Sequence, residues 1–337
     1  MKPTDLAYYL SKYFGNYLPN VVGASTKTLI SYEKTFCLLF EFCTESKKIK
    51  VGKLEIQQIT PLLIMDFLQH LEDLGNSVST RNQRLSAIRS FFGYLQTIEP
   101  KYILCSQNIL SVKFKRHQKS TINYLTEDEL KLVLEMPQVN YKRQYRDLLL
   151  LTMLYDTAAR VSELTNIQLK DIRFEYPYTV VLTGKGNKSR IVPLSPNTFK
   201  LLEIYTTKEK LNILSNRYLF LNHSNERFTS EGITYIVKKY TDLARLQKTS
   251  LPAVITPHSF RHSKAMHLLQ NGVNLVYIRD FLGHASIKST EIYAKSDSET
   301  KRKILESAYS NLYNANVPEE LWTQDTKLFD WLKNMCK

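Results

Sequence analysis

Two side chains that can hold an anion, His258 and Arg261, stand three residues apart in the stretch PHSFRHSKAMHLLQNGVNLVYIRDFLGHASIKSTEIYA, which runs from Pro257 to Ala294. In a helix that spacing puts both on one face with their donors aimed the same way. Gly272 ends that helix, and Leu275, Ile278, Phe281 and Leu282 then recur at helical spacing until Gly283 stops the run. His284 therefore falls at a helix end, and Tyr293 follows one short segment later. His258 and His262 also have the i, i+4 spacing of a helical zinc pair. The residues between them, Ser259, Phe260 and Arg261, lack the glutamate of H-E-x-x-H and put a cation where a metal needs none, so no metal and no cofactor is read here. In a chain with 21 tyrosines Tyr293 carries no weight alone. The weight lies in the joint spacing: H-x-x-R, then L-G-H, then a tyrosine nine residues after that histidine.

The bulk of the chain points to the kind of anion. Its 337 residues suggest two domains, and a hydrophobic content of 43% is enough to give each a core. A formal net charge of +14 implies a polyanionic partner, with nucleic acid the leading candidate, although a ribosomal or membrane-surface protein shares that balance. The longest apolar run, Leu148 to Leu154, falls far short of the roughly 18 residues of a membrane span. The start, MKPTDLAYYL, lacks the apolar core of a signal peptide, and Cys37, Cys43, Cys105 and Cys336 form no C-x-x-C pair. A cytoplasmic protein with free thiols and no membrane contact is expected.

The elements that must position these groups follow from the apolar spacing. Thr4 to Leu18 reads as a short amphipathic helix ending at Pro19, Ser25-Thr26 opens a second, and Thr60-Pro61 a third. The fourth, Ser77 to Leu95, carries Leu85, Ile88, Phe92 and Leu95 on one side and Arg81, Arg84 and Arg89 elsewhere. Those arginines suit phosphates and base edges, and they equally suit the solvated face of a helical bundle. VKFKRHQKSTIN, Val112 to Asn123, reads as a linker whose Lys113, Lys115, Arg116 and Lys119, with His117, suit a phosphate backbone; a merely solvated linker is the plain alternative. Thr126 and Glu129 form a capping-box pattern, and an apolar helix from Tyr145 through Leu164 carries Arg160 at or just after its end, with Glu163 as a partner for that charge. Tyr178 to Leu194 is a hairpin around Gly-Lys-Gly-Asn-Lys with Lys185 near the tip, and the lack of G-x-x-x-x-G-K-[ST] excludes a phosphate loop. Helices over Asn197 to Thr206 and Ser230 to Leu246, with a strand from Arg217 to Leu221 between them, and an amphipathic tail with Leu321, Leu328, Trp331 and Leu332 complete the reading.

Taken together, H-x-x-R, L-G-H and the spaced Tyr293 resemble the C-terminal signature of the tyrosine recombinase (phage integrase) family, in its Xer-like form. Ala24 to Leu110 resembles the helical core-binding domain of that family, and the Arg160 segment its first arginine box, departing at Ala158-Ala159, where the family usually has Gly and a bulky apolar residue. The resemblance implies a mainly α chain: a helical, SAM-like core DNA-binding domain over residues 1–111, a basic linker over 112–123, a mixed α/β catalytic domain with a small antiparallel sheet over 124–317, and a tail helix over 318–337. It implies catalytic roles for Arg160, Lys185, His258, Arg261, His284 and Tyr293, with Lys188 the rival of Lys185 as the mobile lysine. It further implies double-stranded DNA as substrate, a homotetramer on synapsed sites, a monomer or weak oligomer off DNA, and a tail that docks on a neighbouring protomer. A type IB topoisomerase-like relaxing enzyme and a DNA-binding protein without chemistry are the other classes considered. No obvious arm-binding domain precedes the core-binding one, so a simple or transposon-encoded recombinase is expected.

Overall fold

The computed structural model of the chain describes residues 4–116, 122–138, 142–248, 250–284, 286–296 and 302. The expected tail over 318–337, and Lys119 with His117, lie outside the described residues. The chain divides into two compact units, residues 1–120 and 121–337.

The first unit is helical: α1 (Asp5–Lys12), α2 (Thr26–Glu45), α3 (Pro61–Asp73), α4 (Val78–Ile98) and α5 (Ile103–Leu110). Side-chain hydroxyls start three of them as expected. Ser25, Thr60 and Ser77 each accept a backbone N–H of the first turn, and Pro61 takes the position where no N–H is needed. Leu39, Ile64, Phe67, Leu68, Leu85, Ile88, Phe91, Phe92 and Leu95 are fully buried, which is the apolar spacing of α2, α3 and α4 turned inward.

Two expectations change here. Pro19 does not end the first helix, because α1 widens into an i→i+5 spiral over Tyr13–Val21 with Pro19 inside it, a spiral with room for a ring that an α-helical turn would reject. The segment after Leu110 is not wholly a linker either. Val112 is buried with the helices, and the Asn82 side chain pairs with the main chain of Lys115 in both directions, at 2.8 and 3.1 Å, as a neighbouring strand would. Apolar periodicity is blind to such a side-chain-to-backbone pair.

In the second unit, α6 (Glu127–Glu135) begins at the expected capping box of Thr126 and Glu129, and α7 (Lys142–Asp156) forms the buried centre. The apolar run does not continue as helix to Leu164. It breaks at Ala158, which is fully buried in the left-handed region at φ 47°, and Arg160 then caps a new helix, α8 (Val161–Asn166). A small antiparallel sheet of β1 (Ile172–Arg173), β2 (Thr179–Thr183) and β3 (Ser189–Pro193) follows, with Val180 opposite Val192 and Leu182 opposite Arg190. The expected strand from Arg217 to Leu221 is reduced to isolated bridges, Gln168 with Tyr218 and Leu221 with Arg227. Then come α9 (Pro196–Lys208), α10 (Ser230–Gln247), α11 (Pro257–Gln270), α12 (Leu275–Leu282) and α13 (Glu291–Ser296).

Ala158 occupies a conformation that costs an L-residue about 1–2 kcal/mol and a glycine far less. Against this gain, Ala158→Gly loses a buried methyl and some unfolded-chain restriction, each worth roughly 0.5–1 kcal/mol. Urea denaturation should therefore place Ala158→Gly within about 1 kcal/mol of the parent, whereas Ala158→Val, β-branched in the same conformation, should lose at least about 2 kcal/mol.

Candidate active site

Glu163 lies at the centre of the site, its side chain only 1% exposed. It sits in the first turn of α8, where its Oε2 accepts the backbone N–H of Arg160 at 2.9 Å and its Oε1 pairs with Arg160 Nη1 at 2.6 Å. From the sheet, Arg190 Nη2 reaches the same carboxylate at 2.9 Å, while Arg190 Nε donates to the Phe281 carbonyl at the end of α12. Burial alone would raise the pKa of Glu163; the bonds from Arg190 and Arg160 reverse that and hold it at about 2. Gly184, at the start of the hairpin tip, approaches so closely that a Cβ there would stand 2.8 Å from Glu163 Oε1. The tip is a tight turn over Lys185–Asn187 with Gly186 at φ 75°.

Arg261, on the first turns of α11, is 3% exposed and bridges two separate segments. Its Nη1 donates to the Ala158 carbonyl at 2.7 Å and its Nη2 to the Leu282 carbonyl at 2.6 Å. The left-handed turn at Ala158 is thus part of what holds this guanidinium. Burial, with Arg160 nearby, lowers the pKa of Arg261 to about 10, which leaves it charged at neutral pH. Gly283 ends α12 in the left-handed conformation, its carbonyl 3.4 Å from Arg160 Nη2, and delivers His284, whose Nδ1 bonds Thr290 Oγ1 at 3.0 Å. The far side of α11 is pinned as well. Ser263 Oγ accepts the Leu125 N–H at 2.8 Å, and His267 Nε2 donates to the Leu125 carbonyl while its Nδ1 accepts from Tyr155, each at 2.9 Å.

Tyr293 on α13 is 1% exposed, and its hydroxyl is hydrogen-bonded to His262 Nδ1 at 2.9 Å. Burial raises its pKa, and the charges of Arg261 and Arg160 oppose that rise. The histidines are kept neutral: His262 and His284 at about 4, and His258 below its ordinary value, in each case by burial first and then by neighbouring positive charge. Five of the six expected residues, Arg160, His258, Arg261, His284 and Tyr293, thus come from four separate helices and their ends to one place. Of Lys185 the backbone position at the hairpin tip is described and the side chain is not. Among the described residues no three His, Cys, Asp or Glu side chains gather as a metal site.

The phage integrase family matches residues 123–300, and the N-terminal SAM-like domain of phage integrases matches residues 12–97. The chain belongs to the phage integrase family. Its Xer-like character is plain in its relatives: the tyrosine recombinase XerD of Staphylococcus epidermidis is 30% identical over 292 residues, covering 86% of this chain and 94% of that protein. XerD of Oceanobacillus iheyensis is 32% identical over the same share of this chain, 86%. Solved structures share the fold. The site-specific recombinase XerH in its post-cleavage complex superposes with a TM-score of 0.66 at 24% identity over 86% of this chain and 80% of that one. The Tn1549 transposon integrase superposes with a TM-score of 0.67 at 18% identity over 89% of this chain and 98% of that one.

Sequence reasoning missed two residues of this integrase's site. Arg190 was hidden in a strand whose alternation shows only burial. His262 was weighed only as a zinc partner of His258; its place one residue after Arg261, a turn away from His258, was the available signal. The arginines of α4 expected to suit DNA have partners within their own unit. Arg81 Nε is 3.2 Å from Glu72, Arg84 Nη1 donates to the Ser31 carbonyl at 3.1 Å, and Arg89 Nη1 donates to the Leu110 and Val112 carbonyls. All three are engaged inside the first unit, Arg81 by a carboxylate and Arg84 and Arg89 by backbone carbonyls that folding brings beside the helix. Lys113 is exposed, and Lys115 Nζ is 2.5 Å from Glu72.

Glu163→Gln removes the charge that orders both arginines. Because the folded-state pKa lies below the ordinary value of 4.5, the stabilisation is fully present above that value and is lost as pH falls toward about 2. Chemical denaturation at neutral pH should show a loss of roughly 3 kcal/mol in the Gln variant, and the gap from wild type should close progressively below pH ~5.

Proposed function

We propose that this integrase is a site-specific recombinase of double-stranded DNA that cuts and rejoins strands through a 3′-phosphotyrosyl bond to Tyr293 and a Holliday junction. The observation that carries the reading is the Tyr293 hydroxyl, buried, hydrogen-bonded to His262 and acted on by the charges of Arg261 and Arg160. A phenol with an ordinary pKa of about 10 is ionised in roughly one part in a thousand at neutral pH, a handicap of about 4 kcal/mol that local cations and a proton acceptor must reduce. Arg160 and Arg261 grip the non-bridging oxygens of the scissile phosphodiester, since a guanidinium fork matches phosphoryl geometry. His258 donates to a phosphoryl oxygen, His284 orients the assembly from its seat on Thr290, and Lys185 protonates the leaving 5′-oxygen.

The excess of positive charge supports the same reading. Three guanidiniums, Arg160, Arg190 and Arg261, stand in a site with one carboxylate, Glu163, which pairs with the first two alone, so the site is short of two negative charges that a bound phosphodiester partly supplies. XerH is described bound to its difH substrate and the Tn1549 integrase in complex with transposon DNA, and an Xer-like chain with net charge +14 suits the same kind of partner. Exposed Lys113 and Arg116, with Lys115, are placed on the phosphate backbone in this reading, and Arg81, Arg84 and Arg89 act there through the fold rather than by direct contact. A homotetramer on two synapsed sites, with the tail over 318–337 passing between protomers, and a cytoplasmic location complete the proposal.

A nicked suicide substrate tests it. Wild type should accumulate a covalent protein–DNA adduct, and Tyr293→Phe should form none while binding the same duplex with nearly unchanged affinity. An adduct that persists in the Phe variant would move the nucleophile elsewhere.

A further inference from the structure

Strand cleavage by a buried phenol leaves one question that the six expected residues do not answer: where the proton of Tyr293 goes. The His258 ring centroid stands 6.5 Å from that of His262. His284 has its Nδ1 committed to Thr290. Glu163 is held at about pKa 2 by two arginines and is a poor base. Among the described residues the one side chain hydrogen-bonded to the Tyr293 hydroxyl is His262, Nδ1 to Oη at 2.9 Å, with the two rings 5.7 Å apart between centroids.

We infer that His262 is a catalytic residue, the proton acceptor for the Tyr293 nucleophile; the inference rests on the nucleophilic role proposed above for Tyr293. As Tyr293 Oη closes on phosphorus, its proton passes to His262 Nδ1. The bond from phosphorus to the 5′-oxygen breaks, and that oxygen takes a proton from the general acid assigned to Lys185. Religation runs the same transfers backwards, with His262 returning the proton to the departing phenolic oxygen, so atoms and charge balance over the cycle.

The setting fits that task. The groups around His262 include His258 and Arg261 from its own helix, Tyr293 from α13 and His284 beyond α12, and burial, with His258 and Arg261 beside it, keeps the imidazole neutral. A neutral ring with its hydrogen on Nε2 offers a lone pair at Nδ1 to the phenol in the resting enzyme. A phosphodiester anion brought against Arg261 and Arg160 offsets the positive charge that depresses the imidazole. The phenol meanwhile loses basicity as its oxygen bonds to phosphorus. Both changes favour the transfer at the moment of attack, whereas before it the proton stays on Tyr293. His262 is fixed for this on the same helical turn as Arg261, so the acceptor and the phosphate grip move as one body.

The test uses the full chain. His262→Ala and His262→Asn should slow covalent adduct formation by roughly 10² to 10⁴-fold, the usual worth of a positioned general base, with duplex binding near that of wild type. Asn retains a hydrogen-bond acceptor but takes no proton, so it should not rescue. A substrate with sulfur in place of the scissile 5′-bridging oxygen needs no leaving-group acid. It should restore cleavage by Lys185→Ala and leave the His262 defect in place. Replacing the Tyr293 ring by a difluorinated tyrosine acidifies the nucleophile and should shrink the penalty for losing His262 by at least tenfold. Wild-type rates in His262→Asn, rescue of the His262 variants by the sulfur substrate, or an unchanged penalty with the fluorinated ring would each overturn the assignment. If wild type itself forms no adduct, or Tyr293→Phe still does, the nucleophile assignment has failed. An adduct that needs Tyr293 but not His262 removes this inference alone.

Discussion

One buried carboxylate organises the catalytic unit. Taking Glu163 out of water costs several kcal/mol unless its lone pairs are met, and they are met by the backbone and side chain of Arg160 and by Arg190. Each of those donors belongs to a different piece of the site. Arg160 begins α8, Arg190 belongs to the hairpin strand that follows Lys185 in the chain, and through the Phe281 carbonyl Arg190 also holds the end of α12 just before His284. The close approach of Gly184 to the same carboxylate fixes the base of the hairpin tip. Satisfying one charge thereby sets the relative positions of a helix start, a hairpin and a helix end.

Arg261 solves the opposite problem. It is a buried cation with no carboxylate of its own, held by the carbonyls of Ala158 and Leu282 at separations of 2.7 and 2.6 Å. Carbonyl dipoles fix its direction without cancelling its charge, so its unspent donors remain available to an anion. The left-handed turn at Ala158 and the left-handed Gly283 are the backbone consequences of that arrangement, one on each side of the guanidinium. Around this fixed positive charge the histidines stay neutral, which leaves them acting as hydrogen-bonding groups in the resting protein.

Much of this was legible in the sequence, and the parts that were not share a cause. Caps at Ser25, Thr60, Ser77 and Thr126, the hairpin around Gly186, and the glycine stop at Gly283 are local events, set by residues within a turn of one another, and reading them required nothing else. The pairing of Arg160 with Glu163 was legible for the same reason. Partners distant in the chain left no local trace. Arg190 meets Glu163 across 27 positions and His262 meets Tyr293 across 31, and neither spacing has a period. The arginines of α4 show the same limit. Their positions off the apolar face suit phosphates and solvent alike, and nothing in their spacing shows that the carbonyls of Ser31, Leu110 and Val112, brought near only by folding, accept from Arg84 and Arg89. The break between α7 and α8 was masked by apolar residues that continue across it, because burial does not require helix.

The central claim is that a bidentate, buried guanidinium at Arg261 binds the phosphoryl group most tightly at the transition state. Single-turnover cleavage of a saturating suicide substrate by Arg261→Lys measures it most directly, with duplex affinity and thermal stability measured on the same protein. Lysine keeps the charge but loses the planar fork, so the account predicts cleavage slowed by roughly 10² to 10³-fold at near-normal DNA affinity, the scale of one lost preorganised donor. Cleavage by the Lys variant at the wild-type rate would contradict it.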